Sequence, residues 1–476
     1  MKPPRAASSL APRPITLALF GLAGALLAAW LWHSFCRFPS IVWNDVRLAP
    51  TIALAQGWPI FPTASSGTIN TWTYGPLPPL YYWPASLATS ASGALMIAAA
   101  LNLLLTLGPI ALVCFGWPAE DDVAKRARPG RWAALLLCLA LWPPRHYEVI
   151  FADNLGIACG LIGNLLLLRS PSAAGRWLAA AAACAAVGCK QIAVGVPLAQ
   201  VLWLGLTAGG REALKHTCRL GLAGLVLAGL SIGLFGAAGL RHVLLELPAS
   251  FPWAVLAARL QPMIPEALWQ IALPAVVMLA ARRRFARPDL LLPALAWACT
   301  LPFGILALLK TGGWLNSLYS LALWLPPVLT WLLTRTPDRP ARTWFPIGAA
   351  TAAALIGGFR LAQAPQFQVL PATSGYVAAT EFADRFRGRI WFPFHPLVTL
   401  YSEHRYYHDE DGLHVRRLSG IDTGARQLAE HLPPAVQVLA FHNAWSNWGV
   451  ARSLLPPDPR QLVVGDWTLW LPAEKR

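Results

Sequence analysis

The sequence predicts an α-helical polytopic membrane protein with a small α/β domain appended at its C-terminal end. Of 476 residues, 56% are hydrophobic and only 13% are charged, about half the charged share of an ordinary soluble domain, and mean hydropathy is +0.48. Apolar runs of membrane-spanning length recur from Pro14 to Phe359, and beyond about Leu361 they shorten while charges become frequent. The formal net charge of +16 is carried by short Lys/Arg clusters between apolar runs. That is how orientation in a bilayer is encoded, so nucleic acid is not an expected partner.

A span needs about 20 apolar residues. About eleven transmembrane helices are expected by this criterion, near residues 14–32, 92–117, 132–144, 155–168, 177–188, 192–207, 220–240, 267–281, 290–309, 316–333 and 344–359. The first follows Lys2, Arg5 and Arg13 without a small-residue cleavage site, so it reads as a retained signal anchor. Lys125 to Arg131, Arg169 with Arg176, Arg211 to Arg219, Arg282 to Arg284 and Arg335 to Arg342 then mark the inner loops. One orientation satisfies all of them: a multi-pass protein of the inner (plasma) membrane, with its N-terminus cytoplasmic. Residues 1–361 form the membrane domain in this reading, and residues 362–476 an extracytoplasmic, periplasmic α/β domain. In the latter, Arg389–Phe392, Val436–Phe441 and Gln461–Val464 have strand length, while Gly375–Arg387 and Thr423–His431 have helical spacing.

The eight cysteines lie in or beside apolar runs and none form a Cys-x-x-Cys pair, which suits small buried hydrophobes rather than a metal site or a disulfide framework. No cofactor is expected. A divalent ion between outer-loop carboxylates is the one metal reading, and no spaced ligand set supports it. His404 to Asp411 contains a His-x-x-x-His pair but reads as a solvated turn.

The residues that carry chemistry lie in the predicted outer loops. Asp45, in Trp-Asn-Asp-Val-Arg, stands just beyond the first span, where a carboxylate can take a proton from a hydroxyl; the plainer reading is a cap on the helix that follows. Asp153 immediately precedes the fourth span and follows Arg145, His146 and Glu148, and it too has a capping alternative. Lys190 and Lys310 are lone cations in the apolar part of the chain, suited to a lipid phosphate or to snorkelling at span ends. Pro76, Pro78, Pro79 and Pro84 exclude a regular span from Tyr74 to Trp83, so a rigid lip along the interface beside Asp45 is expected, with Tyr74, Tyr81, Tyr82 and His146 as the residues that line the acceptor or donor.

Taken together, Asp45 in the first outer loop, the Tyr74-Gly75-Pro76…Pro79-Leu80-Tyr81-Tyr82-Trp83 lip, Asp153 in Phe-Ala-Asp-Asn and Lys190-Gln191 between spans resemble the GT-C class of integral membrane glycosyltransferases. The resemblance is to the bacterial branch near the protein mannosyltransferases and the lipid A aminoarabinose transferase. It implies inverting transfer of a sugar from a polyprenyl-phosphate donor to a lipid, glycan or protein acceptor of the cell envelope, with Asp45 as base, Asp153 assisting, and Lys190, Arg145 or Lys310 near the phosphate. Two departures bear on donor binding: Asp45 is followed by Val46 rather than Glu, and Gly75-Pro76-Leu77-Pro78-Pro79 has no lysine. A lipid transporter or flippase would call for mid-span charge and paired broken helices, and a non-catalytic scaffold would leave the outer-loop residues without a role.

An odd number of spans puts the C-terminal domain on the same side as the first outer loop. A tag placed after Arg476 is therefore expected to react with a membrane-impermeant reagent from outside, and labelling from the cytoplasmic side alone would overturn the span count.

Overall fold

The computed structural model describes residues 13–63, 65–72, 74–118, 128–245, 257, 260–280, 287–310, 313–335, 339–364, 366–421, 423–442, 449–454 and 459–471. The basic residues Lys125, Arg126 and Arg282 to Arg284, half of the predicted loop 241–266, and Thr311 and Gly312 lie outside these.

Helices occupy every predicted apolar segment. In order they are α1 (Arg13–Arg37), α2 (Val42–Ala55), α3 (Leu77–Tyr81), α4 (Ala91–Gly116), α5 (Arg128–Leu141), α6 (Pro144–Glu148), α7 (Ala152–Arg169), α8 (Ala173–Cys189), α9 (Gly195–Ala208), α10 (Gly210–Leu245), α11 (Ile264–Ala280), α12 (Pro288–Leu309), α13 (Leu325–Thr334) and α14 (Arg339–Ala362). A 3-10 stretch, Leu315–Trp324, leads into α13, and α10 is broken at Gly236, whose φ is 70°. Eight of the described helical stretches are long and apolar enough to cross a membrane; Ala173–Cys189 and Ala267–Leu279 are shorter apolar helices, and α5 has 14 residues. The chain is thus a multi-pass membrane protein, with spans of unequal length.

After α14 come α15 (Ser374–Arg385), β1 (Ile390–Trp391), α16 (Pro396–Ser402), α17 (Glu410–Leu418), α18 (Ala425–Glu430), β2 (Val438–His442), α19 (Gly449–Ser453), β3 (Arg460–Val464) and β4 (Trp467–Leu471). The sheet order is β1-β2-β4-β3, with β1 parallel to β2 and the other pairs antiparallel. Here β4 and the helices α16, α17 and α19 are additions to the sequence reading. Four or five apolar residues in a polar stretch are too few to show a period.

The C-terminal domain does not hang from a linker. Phe38, Leu48, Ile52, Trp72 and Tyr82 of the first outer region share one apolar core with Tyr376, Ile390, Phe392, Leu397, Val438 and Trp467. The backbone of the first outer loop is also threaded into that domain: Ile69 N–H donates to His408 Nδ1 at 2.8 Å, Thr71 N–H to Asp409 Oδ2 at 2.8 Å, and the Thr71 hydroxyl to Asp411. Gly412 packs so close that a Cβ there would lie 2.4 Å from the Asn70 carbonyl carbon. This corrects the expectation of a solvated turn over His404 to Asp411: His408, Asp409 and Glu410 are fully buried. They serve as acceptors for backbone N–H groups, with Glu410 taking those of Val450 and Ala451, and burial pushes the Glu410 carboxyl up to about 7.

Between α5 and α7, residues 143–151 form only the five-residue helix α6, and the carbonyls from His146 to Ile150 find side chains instead of a helix ladder. Asn102 donates to His146 O and Tyr147 O, Asn44 to Glu148 O, Asn154 to Val149 O and His146 O, and Arg47 to Ile150 O. Asn102 also accepts from Tyr82 Oη–H at 2.8 Å and from Asn154 at 2.6 Å, so all its capacity is spent inside the protein. Each buried polar group left unsatisfied costs about 1–3 kcal/mol. Asn102→Leu, of similar size and with no polar atom, is expected to destabilise the protein by at least ~3 kcal/mol, read as a fall in melting temperature in detergent; an unchanged melting temperature would mean that the segment is held by its apolar contacts.

Candidate active site

Two aspartates sit on either side of segment 143–151, each among partners from distant parts of the chain. Neither caps the helix that carries it. The N-caps of α2 and α7 are Ile41 and Phe151, so Asp45 and Asp153 lie within the first helical turns with their carboxylates aimed elsewhere.

Asp153 points at the turn between α8 and α9. Lys190, extended at φ −153° between these helices, brings Nζ to 2.9 Å and 2.7 Å from the two carboxylate oxygens, and Asn316 Nδ2–H donates to Oδ2 at 3.0 Å. The pair is buried, with side-chain exposures of 8% and 1%. Lys190 Nζ also lies 5.3 Å from the centre of the Tyr74 ring, a cation–π contact. The lip that carries Tyr74 is docked on the end of α8: Gly75 N–H donates to Cys189 O at 3.1 Å, and a Cβ at Gly75 would stand 1.7 Å from Gly188 O, so only glycine permits this approach. Lys310 caps the end of α12 nearby; burial first, and the field of Lys190 next, lower its ammonium below the ordinary lysine value. Arg145 is exposed on the facing loop, with its guanidinium carbon 5.9 Å from the Trp314 ring, between Lys310 and Asn316 in sequence.

Of the residues singled out in the sequence, the structure thus gathers Asp153, Lys190, Tyr74 and Lys310, with Arg145 at the margin. Tyr81 and Tyr82 turn the other way, their hydroxyls committed to Leu101 O and Asn102 on α4. The His146 ring is buried against Trp142 and Tyr319, and burial pushes it down to about 3, so it is a neutral imidazole. Asn316 carried no sequence signal beyond its place at a span end. A cavity of about 120 Å³ opens beside the same loop, between Pro143, Pro144, Trp269, Trp324 and Arg360.

Asp45 is fully buried beneath the C-terminal domain. Its Oδ1 accepts the Leu397 N–H at 3.0 Å, in the first turn of α16, so it caps a helix 352 residues away. Its Oδ2 accepts the Tyr376 hydroxyl at 2.7 Å and faces His395 Nδ1 at 3.3 Å. Burial and then the neighbouring carboxylate push the Tyr376 phenol well above its ordinary value, so it is a proton donor here. Around His395, His442 and Trp467 close the shell, and burial pushes His442 down to about 4. Tyr376 and His395 were not legible as site residues, because nothing local marks a contact across more than 300 positions. Among the described residues, no three His, Cys, Asp or Glu side chains gather as a metal-binding set.

A bundle of long apolar helices whose first long loop packs into a C-terminal α/β domain is the arrangement found in solved membrane glycosyltransferases, and this chain has their GT-C fold. The solved structures to which it is similar include the lipid A aminoarabinose transferase ArnT from Cupriavidus metallidurans bound to undecaprenyl phosphate, with a TM-score of 0.59 and 12% identity over 96% of this chain and 98% of that one. The same transferase in its apo state aligns with a TM-score of 0.56 and 13% identity over 95% and 97% of the two chains. No protein-family model matches the sequence, and no curated protein matches it.

Removing one member of a buried ion pair strands the other charge, at a cost of about 3–5 kcal/mol. Lys190→Met and Asp153→Asn are each expected to lower the melting temperature, and the double variant to recover part of the loss. Additive losses would show that the two side chains act independently.

Proposed function

We propose that this chain is a glycosyltransferase that moves a sugar from a polyprenyl-phosphate-linked donor to a cell-envelope acceptor, on the face of the membrane that bears the C-terminal domain. The observation that carries the reading is the buried Lys190–Asp153 pair at a helix end, with Lys310, at the end of α12, within the field of Lys190. Two lysines lie in one another's field at this end of the bundle, and the fold is that of a protein solved with undecaprenyl phosphate bound. In this reading the donor phosphate lies between Lys190, Lys310 and Arg145, with the apolar wall of the adjoining cavity toward its isoprenoid. Asp153 holds Lys190 in place and balances part of its charge.

The step is a single displacement. The acceptor hydroxyl gives its proton to Asp45, its oxygen forms a bond to the anomeric carbon, and the bond from that carbon to the phosphate oxygen breaks with its electron pair remaining on the polyprenyl phosphate. One displacement inverts the anomeric configuration, and the step balances without a cofactor. Tyr376 places its O–H on Asp45 as an acceptor hydroxyl would, so the acceptor takes over that position when it binds. The face is extracytoplasmic in this reading, from the positive-inside pattern, in the inner membrane.

A specific observation favours a second reading. Asp45 has no exposed surface and all its partners belong to the C-terminal domain, as expected of an anchor.

Mass analysis of polyprenyl-phosphate sugars and envelope glycans in cells with and without the gene identifies the donor, which accumulates when transfer is lost. With that donor and the purified protein, Asp45→Asn is expected to cut turnover by about 10²–10⁴, while Tyr376→Phe, which removes the competing donor, keeps turnover. If Asp45→Asn melts lower but turns over normally per folded molecule, Asp45 is the anchor and not the base.

A further inference from the structure

The path between α14 and the C-terminal domain carries a feature that the proposed transfer does not use. Beyond Ala362 the chain turns back along the outer end of α1 and is stitched to it. Gln368 N–H donates to His33 Nδ1 at 2.9 Å, Trp32 Nε1–H to Val369 O at 3.0 Å and Ala372 N–H to Cys36 O at 2.9 Å, while the Phe367 ring stacks on His33. The backbone is thus fixed against the protein, yet the side chains turn outward. Leu370 is 75% exposed and Val377, in the first turn of α15, 64%; Phe367 and Val369 are exposed as well.

Four outward apolar side chains within eleven residues are costly in water and call for a partner. The partner is indicated by continuity. Helices α1 and α14 pack side by side and present Trp32, Leu355 and Phe359, 61% exposed, on their outer surface. The apolar face of the last turn of α14 runs on, past Gln363 and Gln366, into Phe367, Val369 and Leu370. A helix of 24 residues such as α14 spans about 36 Å, a little more than the roughly 30 Å hydrocarbon core, which puts its end at the headgroup boundary. The exposed indole of Trp32 suits that depth.

We propose that residues 367–370 together with Val377 form a strap seated in the bilayer interface, with phospholipid acyl chains covering its apolar side chains. Its partner is bulk lipid, not the donor, so the strap stands whether or not the chain transfers a sugar. Because it leads within a few residues to Tyr376, the bilayer braces the helix that reaches Asp45.

The test uses the full chain in nanodiscs of phosphatidylethanolamine and phosphatidylglycerol. A nitroxide is attached at Val369→Cys, Leu370→Cys or Val377→Cys, and at Ser374→Cys and Thr380→Cys as exposed polar controls, all carrying Cys218→Ala to remove the exposed thiol. The ratio of collisions with oxygen to collisions with a water-soluble nickel chelate is expected to be several-fold higher at 369 and 370 than at 374 and 380, with 377 between. Equal ratios at all five positions would place the strap in water and overturn the proposal. Dipolar broadening from a second label would identify another copy of the chain as the cover, and would overturn it too. Variants are compared only where their melting temperature equals that of the Cys218→Ala parent, and the three independent strap positions keep the outcome readable if one of them fails.

Discussion

The placement of both aspartates depends on how the backbone of residues 146–150 is satisfied. A five-residue helix leaves its last carbonyls without intrahelical partners, and five consecutive carbonyls here go to side chains: Asn102, Asn154, Asn44 and Arg47. These donors come from α2, α4 and α7, so a single irregular loop ties three helices together. Asp153 leaves one end of it, and the turn of α2 that bears Asp45 is pinned along its side by Asn44 and Arg47, whose guanidinium also lies 4.7 Å from the Phe151 ring. The two acidic sites are therefore held in fixed relation by amide hydrogen bonds, which do not titrate.

The helical architecture was legible because each span must satisfy its own backbone and bury its apolar length in lipid, and both demands leave runs that composition reveals. The short strands of the C-terminal domain were partly legible. β2 carries a continuous apolar run from Val438 to Phe441, whereas β4, Trp467–Leu471, offers only five positions directly after the turn that ends β3. For the sites, residue type singled out Asp45, Asp153 and Lys190, since charge beside hydrocarbon is expensive. Pairing was not legible. That Lys190 closes on Asp153 depends on the Gly75–Gly188 approach and the path of the α8–α9 turn, and that Asp45 meets Tyr376 and His395 depends on the docking of a whole domain.

The two charged centres differ in kind. Around Asp153, charge is compensated by charge: the Lys190 ammonium lies on both carboxylate oxygens. Around Asp45, the carboxylate meets one backbone N–H, one phenol and one imidazole nitrogen, and no lysine or arginine is among these partners. The neutral phenol O–H of Tyr376 can be exchanged for a ligand's hydroxyl at little electrostatic cost, whereas an opposed ammonium cannot be displaced without stranding its partner. This asymmetry is why an exchange of donors is assigned to Asp45 and a standing countercharge to Lys190.

The sequence distance between Asp45 and its partners also sets a schedule for biosynthesis. Tyr376 follows Asp45 by 331 residues; at translation rates of about 5–20 residues per second, that is roughly 17 to 66 s during which the first loop has left the membrane without the groups that will cover it. Water must solvate the carboxylate throughout that interval, and the apolar residues around it, Phe38, Leu48 and Trp72 among them, wait for Phe392, Leu397 and Trp467. A nascent chain that stalls before the last strand would be inserted and helical yet open at the roof, with an acidic, aromatic-rich cleft for quality-control proteases to find. Synthesis of the segment from Phe392 to Trp467 is in this sense a checkpoint written into the order of the chain.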